Sequence, residues 1–149
     1  MDHYRAIENL LYTYARLIDA GNLEAMADLF SEAQFLGPDG SVVAEGKEQY
    51  LALHRRLVKI YEGTGTPCTK HVITNAIIEV GEAADSAVAE SYFTVFQATD
   101  ILPLQPIIAG RYQDTFVRND GIWRFNSRQT IPELYGDLSQ HLMFDIAER

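Results

Sequence analysis

The second half of the chain constrains the fold most. Four segments, 69–80, 86–99, 107–118 and 122–131, are rich in Val, Ile, Thr, Tyr and Phe, the residues that favour strands. Turn signals separate them: Gly81-Glu82-Ala83-Ala84-Asp85, the Pro103 to Pro106 connection, and Asn119-Asp120-Gly121. Each segment exceeds the ~5–6 residues of an average strand. A meander of strands this long twists strongly, so the expected sheet is curved.

The first half reads as helix. Ile7, Leu10, Leu11, Tyr14, Leu17 and Ile18 recur at helical spacing over 3–18. Asp2 is a suitable N-cap, and Gly21 can take the left-handed conformation that stops a helix. Asn22 can cap a second short helix carrying Met26, Leu29 and Phe30. A hairpin over 33–45 turns at Gly37-Pro38-Asp39-Gly40. A third helix is expected over 47–61, followed by a loop through Pro67. Three helices followed by a long, mostly antiparallel sheet make an α+β class. The economical packing is one domain over 1–149, with the curved sheet wrapped around the helices and an apolar cavity between them.

Composition narrows the function. Hydrophobic residues make up 47% and charged residues 22% of the 149, an ordinary globular balance. At this length about two-thirds of the unfolded surface can be buried, which leaves room for a pocket. The formal net charge of −9 opposes binding to nucleic acid or to anionic membranes. No apolar run approaches the ~18 residues of a membrane span. The first residues lack a signal-peptide pattern, and the single cysteine, Cys68, fits a reducing compartment, so a cytoplasmic location is expected. The basic cluster His54-Arg55-Arg56 with Lys59 is read as a solvated helix face.

Four residues form a coherent chemical set. Asp19 ends the first helix, where its charge faces the negative end of the macrodipole at a typical cost of ~0.3–1 kcal/mol. His71 opens the first long strand in Lys70-His71-Val72-Ile73-Thr74-Asn75. In a regular strand it shares a face with Ile73, Asn75 and Ile77; a bulge would change this. An Asp accepting from one imidazole nitrogen makes the other a better base. Tyr14 lies five residues before Asp19, about 140° around the helix, so both can border one cavity mouth. Arg128 can stabilise a leaving anion or an oxyanion. Each also has an ordinary reading: a turn residue, a hydrogen-bonded strand histidine, a core tyrosine and a surface ion pair. Cys68 and His71 point to opposite faces of a regular strand and form no dyad. The four histidines lack metal-site spacing, and no phosphate loop is present. Asp114 and Glu90 could be pocket carboxylates or outward-facing charges.

Several motifs together resemble the SnoaL-like branch of the nuclear transport factor 2-like superfamily. They are Tyr14-Ala15-Arg16-Leu17-Ile18-Asp19, His71-x-x-Thr74-Asn75, Gly110-Arg111-Tyr112-Gln113-Asp114-Thr115-Phe116 and Asp120-Gly121-Ile122-Trp123-Arg124-Phe125. The pattern is most similar to a lyase subset that includes lindane dehydrochlorinase, bile acid 7α-dehydratase and scytalone dehydratase. The resemblance implies a cone-shaped barrel and no metal or organic cofactor. It also implies an Asp19–His71 dyad, with Arg128 and Tyr14 in the active site, and association as homodimers or homotrimers. The segment from Pro132 to Arg149, with Leu138, Leu142, Met143, Phe144 and Ile146, would suit a lid or a subunit contact.

The expected function is a cofactor-independent lyase, such as a dehydratase or dehydrohalogenase, or an isomerase. Its partner would be a small hydrophobic molecule: aromatic, alicyclic, steroid or polyketide-like. His71 would remove a proton from carbon, Asp19 would orient it, and Tyr14 and Arg128 would assist the departing group. Two other classes stay open. One is a ligand carrier or an accessory subunit of a ring-hydroxylating oxygenase. The other is a polyketide cyclase or epoxide hydrolase-like enzyme, which needs a further pocket carboxylate.

Overall fold

The computed structural model describes residues 1–144. Helix α1 spans His3–Asp19, α2 Leu23–Asp28 and α3 Gly46–Leu57. Strands are β1 (Gln34–Leu36), β2 (Val42–Glu45), β3 (Thr69–Val80), β4 (Ser86–Gln97), β5 (Gln105–Asn119) and β6 (Ile122–Tyr135). Among the described residues they form one six-stranded sheet in the order β2-β1-β6-β5-β4-β3. All pairs are antiparallel except β1 with β6, which is parallel. The expected α+β class with a strongly curved sheet therefore holds. The sheet is not closed, because β2 and β3 remain as edges.

Curvature comes from bulges as well as twist. Register shifts fall between Thr74 and Ile77, Val95 and Phe96, Ala109 and Gly110, and Thr115 and Phe116. An extra residue on one strand of a pair bends that strand and increases its twist. At Gly110 no other residue fits, since a Cβ there would stand 2.2 Å from the Ile131 carbonyl oxygen. The bulge in β3 places Asn75 at φ 55°, a left-handed conformation that Asn tolerates better than most residues. It also shifts the inward face. His71 and Ile73 face the helices before it, and Ala76, Ile78 and Val80 after it, while Ile77 is 70% exposed. The regular-strand expectation for Asn75 and Ile77 is thus corrected.

The core lies between the concave face and the helices. Ile7, Leu11 and Ile18 of α1 and Met26 of α2 meet Phe93, Phe116 and Phe125 of the sheet. Phe30 stacks on Tyr50 at 4.3 Å and on Phe125 at 4.5 Å, so aromatic rings bridge the layers. Asp2 caps α1 through the Arg5 amide, and Asn22 caps α2 through the Ala25 amide, as expected.

Helix α3 ends four residues before the expected Tyr61. Val58 turns extended and bridges Leu142, the Lys59 amide donates to the His141 carbonyl, and the Met143 amide donates to Leu57. A segment from Asp137 to Met143 draws residues 57–59 out of the helix and offers them cross-chain partners. This strap has further ties. Lys59 Nζ donates to the Ser139 carbonyl at 2.7 Å. The Gln140 carbonyl accepts from Tyr61 Oη and, at 3.0 Å, from Gln97 Nε2. The part of the expected lid or subunit contact that includes Ile146 lies outside the described residues.

Candidate active site

Asp19 owes its position to a helix stop. The Asn22 amide donates to the Leu17 carbonyl and the Gly21 amide to the Ile18 carbonyl, the paired bonds of a Schellman motif. Gly21 sits at φ 74°, and a Cβ there would meet the Gly65 oxygen at 2.0 Å. The 61–66 loop thus packs directly on the helix end, and β3 starts beside it.

The Asp19 carboxylate receives three hydrogen bonds from β3. Thr69 Oγ1 donates to Oδ1 at 2.8 Å, the His71 backbone amide to Oδ2 at 2.8 Å, and His71 Nδ1 to Oδ1 at 2.6 Å. These offset the unfavourable helix-dipole position. Burial pushes the Asp19 carboxyl up, but the His71 side chain, its amide and Thr69 outweigh this and hold it below the usual carboxylate range. An ionised carboxylate only accepts, so the neutral form of His71 carries its proton on Nδ1 and keeps the Nε2 lone pair.

His71 lines a cavity of about 230 Å³ between the helices and the sheet. Ile18, Leu57, Phe93, Val95 and Leu138 supply apolar wall, and no Lys, Arg, Asp or Glu lines it. Larger clefts of about 410 and 490 Å³ lie elsewhere on the surface and contain neither member of the dyad. Tyr14 lines the cavity with its ring 6.2 Å from that of His71. Burial raises the Tyr14 phenol above its ordinary value, against the opposing effects of Arg128 and the hydroxyls of Tyr112 and Tyr50. It remains protonated and can donate.

Arg128 is placed differently. It is fully buried but is not among the cavity-lining residues. Its Nε and Nη2 donate to the two oxygens of Asp114 at 2.8 and 3.0 Å. Its guanidinium lies 3.7 Å from the centre of the Tyr112 ring and 4.4 Å from that of Tyr14. Burial pushes the Asp114 carboxyl up against the pull of Arg128. The guanidinium stays charged and holds the pair in its ionic form. Arg128 therefore supports the two phenols from behind. Asp114 is committed to this pair, and Glu90 is exposed on the opposite face, so neither supplies a further cavity carboxylate. Cys68 precedes β3 at φ 59° and lines a separate surface cleft.

Three cavity residues escaped the sequence reading: His54, His141 and Tyr112. His54 is not part of a solvated face; it is 6% exposed, while Arg55 and Arg56 point outward. Its Nδ1 donates to the Tyr50 carbonyl at 3.0 Å, leaving Nε2 as an acceptor. His141 is 7% exposed and its ring centre lies 6.3 Å from that of His71. Burial lowers both His54 and His141 to about 4. The spacing of His54 from Leu51 and Val58 already put it on the apolar stripe of α3. His141, in an irregular segment, had no such signal. Among the described residues no cluster of His, Cys, Asp and Glu could hold a metal ion.

Comparison with curated proteins finds no significant match. Solved structures share the fold. A protein from Novosphingobium aromaticivorans provisionally named a scytalone dehydratase is 26% identical with a TM-score of 0.69, over 90% of this chain and 86% of that one. An NTF2-like protein with a cystatin-like fold from the same organism is 20% identical with a TM-score of 0.72, over 93% and 86%. LinA, the lindane dehydrochlorinase, is 21% identical with a TM-score of 0.68, over 91% and 89%. Residues 1–129 match the model of the SnoaL-like domain, and the chain belongs to that family.

Proposed function

We propose that this protein is a cofactor-independent acid–base enzyme, a lyase or isomerase, acting on a small uncharged molecule. The observation that carries this is the Asp19–His71 pair opening onto a cavity without charged walls. His71 Nε2 takes a proton from carbon. The electrons of the broken C–H bond form a new double bond, either expelling a neighbouring leaving group or shifting an existing double bond. Asp19 positions His71 and stabilises its protonated form. Tyr14 donates to the departing group or developing oxyanion, and Arg128 acts through Tyr14 and Tyr112. A cavity of about 230 Å³ falls below the ~300–1,000 Å³ typical of drug-sized ligands, which favours one or two rings over a steroid skeleton. Association between copies is part of the reading, because Ile77, Val88 and Tyr92 stand exposed on the outer sheet face; sedimentation reads it directly.

The test is a panel of cyclic alcohols, halides and ketones incubated in deuterated water. The wild type is expected to eliminate or to exchange a carbon-bound hydrogen, and His71→Ala to lose at least the ~10²–10⁴-fold that a positioned base contributes. Equal rates in a folded His71→Ala protein would refute the reading.

A further inference from the structure

We infer that His54 selects the ligand, accepting through Nε2 a hydrogen bond from a hydroxyl group on a neutral one- or two-ring molecule. This rests on the cavity being the ligand site, as in the function proposed above, and names a group the ligand carries apart from its reacting carbon.

Two imidazoles of the cavity wall have a tautomer fixed by the protein. His71 donates from Nδ1 to Asp19, and His54 donates from Nδ1 to the Tyr50 carbonyl at 3.0 Å. Each neutral ring therefore keeps a lone pair on Nε2. The two lone pairs serve different ends. Asp19 stabilises a protonated His71, whereas the partner of His54 is an uncharged carbonyl. Burial outweighs that carbonyl and, with the charges of His71 and Arg128, holds His54 at about 4. At neutral pH its Nε2 accepts a hydrogen bond from an alcohol or phenol without taking the proton.

The ring is held in place. Its centre lies 4.2 Å from that of Tyr50 and 5.8 Å from that of Phe35, and Tyr50 is stacked in turn on Phe30 at 4.3 Å. A flip would break the bond to the Tyr50 carbonyl. Nε2 has no hydrogen-bond partner among the described residues, yet protein atoms do not seal it off as they do Nδ1 of His141. The ring borders the cavity, and Nε2 is the part of it left for a ligand.

No stronger acceptor competes. Among the described residues no Asp or Glu lines the cavity, while the Tyr14 and Tyr112 phenols, raised by burial, remain donors. A hydroxyl both gives and receives, so it matches a wall that contains both kinds of group. A simple halide or hydrocarbon leaves the buried acceptor unpaired, which is costly. A pocket built around such a bond rejects the analogue lacking the donor more strongly than an apolar pocket can. His54 thus favours hydroxylated rings over simple halides and hydrocarbons.

The test uses naphthol and fluoronaphthalene substituted at the same carbon. They are close in size, and only the first donates. Dissociation constants come from NMR titration of the whole protein as wild type, His54→Phe, His54→Gln and His71→Ala, with circular dichroism to verify folding. The wild type should bind naphthol ~10–100-fold tighter than fluoronaphthalene. His54→Phe, which keeps a ring against Tyr50, should still bind fluoronaphthalene within a few-fold and lose the preference. His54→Gln, which keeps an acceptor, should regain part of it, and His71→Ala should retain it. The nitrogen-15 signal of His54 Nε2 should move upfield with naphthol and not with fluoronaphthalene. Equal binding of the two by the wild type, or binding of neither, would overturn the inference. So would a preference that survives in His54→Phe; its loss in His71→Ala instead would put the hydroxyl on the base. The proposed function is tested separately, by exchange or elimination that depends on His71, and can hold where the role of His54 fails.

Discussion

Asp19 is a residue whose helix-end position is unfavourable by itself and is sustained by three donors from another element. Asn at this position would keep the size but could accept from His71 only through its single amide oxygen, and it would carry no charge to balance a protonated imidazole. Asp19→Asn is therefore expected to lower kcat by ~10²–10⁴-fold with little change in KM, in steady-state assays on whichever probe the wild type converts. A matched loss in KM alone would mean that Asp19 shapes the cavity and does not tune the base. Arg128 presents the other residue-scale case. Removing one member of a fully buried pair typically costs ~3–5 kcal/mol. Arg128→Leu should lower the urea midpoint accordingly, and adding Asp114→Leu should recover much of the loss. A failure of the double variant to recover would show that stacking on Tyr112 and Tyr14 matters more than the ion pair.

At the scale of elements, the strap supplies part of the cavity wall. Leu138, His141 and Leu142 all line it, and their hold on the body of the protein runs through residues 57–61 and through Gln97. Gln97 Nε2 donates to both the Pro67 and Gln140 carbonyls at 3.0 Å, and the residue is 1% exposed. Gln97→Leu should leave the sheet intact while loosening the strap. The amides of Lys59 and Met143, bonded across this contact, should then exchange with deuterium faster while those of β5 do not. Uniform acceleration along the chain would indicate global destabilisation instead. The bulges belong to the same scale. They aim Thr130 and Pro132 of β6 and Tyr112 of β5 at the cavity, and the one at Asn75 turns the lower part of β3 inward.

For the whole molecule, the buried histidines set a pH dependence. In the folded state His54 and His141 titrate near 4, below the ~6.5 of an unfolded imidazole. As pH falls, the unfolded chain takes up these protons first. Stability is undiminished above about pH 6.5 and declines from there to about pH 4, by as much as roughly 3 kcal/mol per histidine. Asp19, held below the usual carboxylate range, adds a loss at still lower pH, below about 4. Urea midpoints should therefore drop between pH 7 and pH 5, and less so in the double variant His54→Leu with His141→Leu. Midpoints that stay constant over this interval would contradict the neutral burial of the two rings.

The sequence by itself determined the elements and their order. Helical spacing in 3–18, β-rich runs after residue 68 and turn residues between them are local signals, and local sterics and burial act on them directly. The positions of Asp19 and His71 were marked locally, by the helix stop at Gly21 and the start of β3, while their pairing was an implication of the family resemblance. Tertiary structure decided the rest. The early end of α3 depends on pairing with residues 141–143, more than eighty positions away. The parallel pairing of β1 with β6 joins segments equally remote. The face on which Ile77 lies depends on one bulge. Arg128 sits behind the phenols because Asp114, one strand over, satisfies its charge. Whether a histidine is solvated or neutral in a cavity wall depends on what other segments fold over it, and no local pattern encodes that.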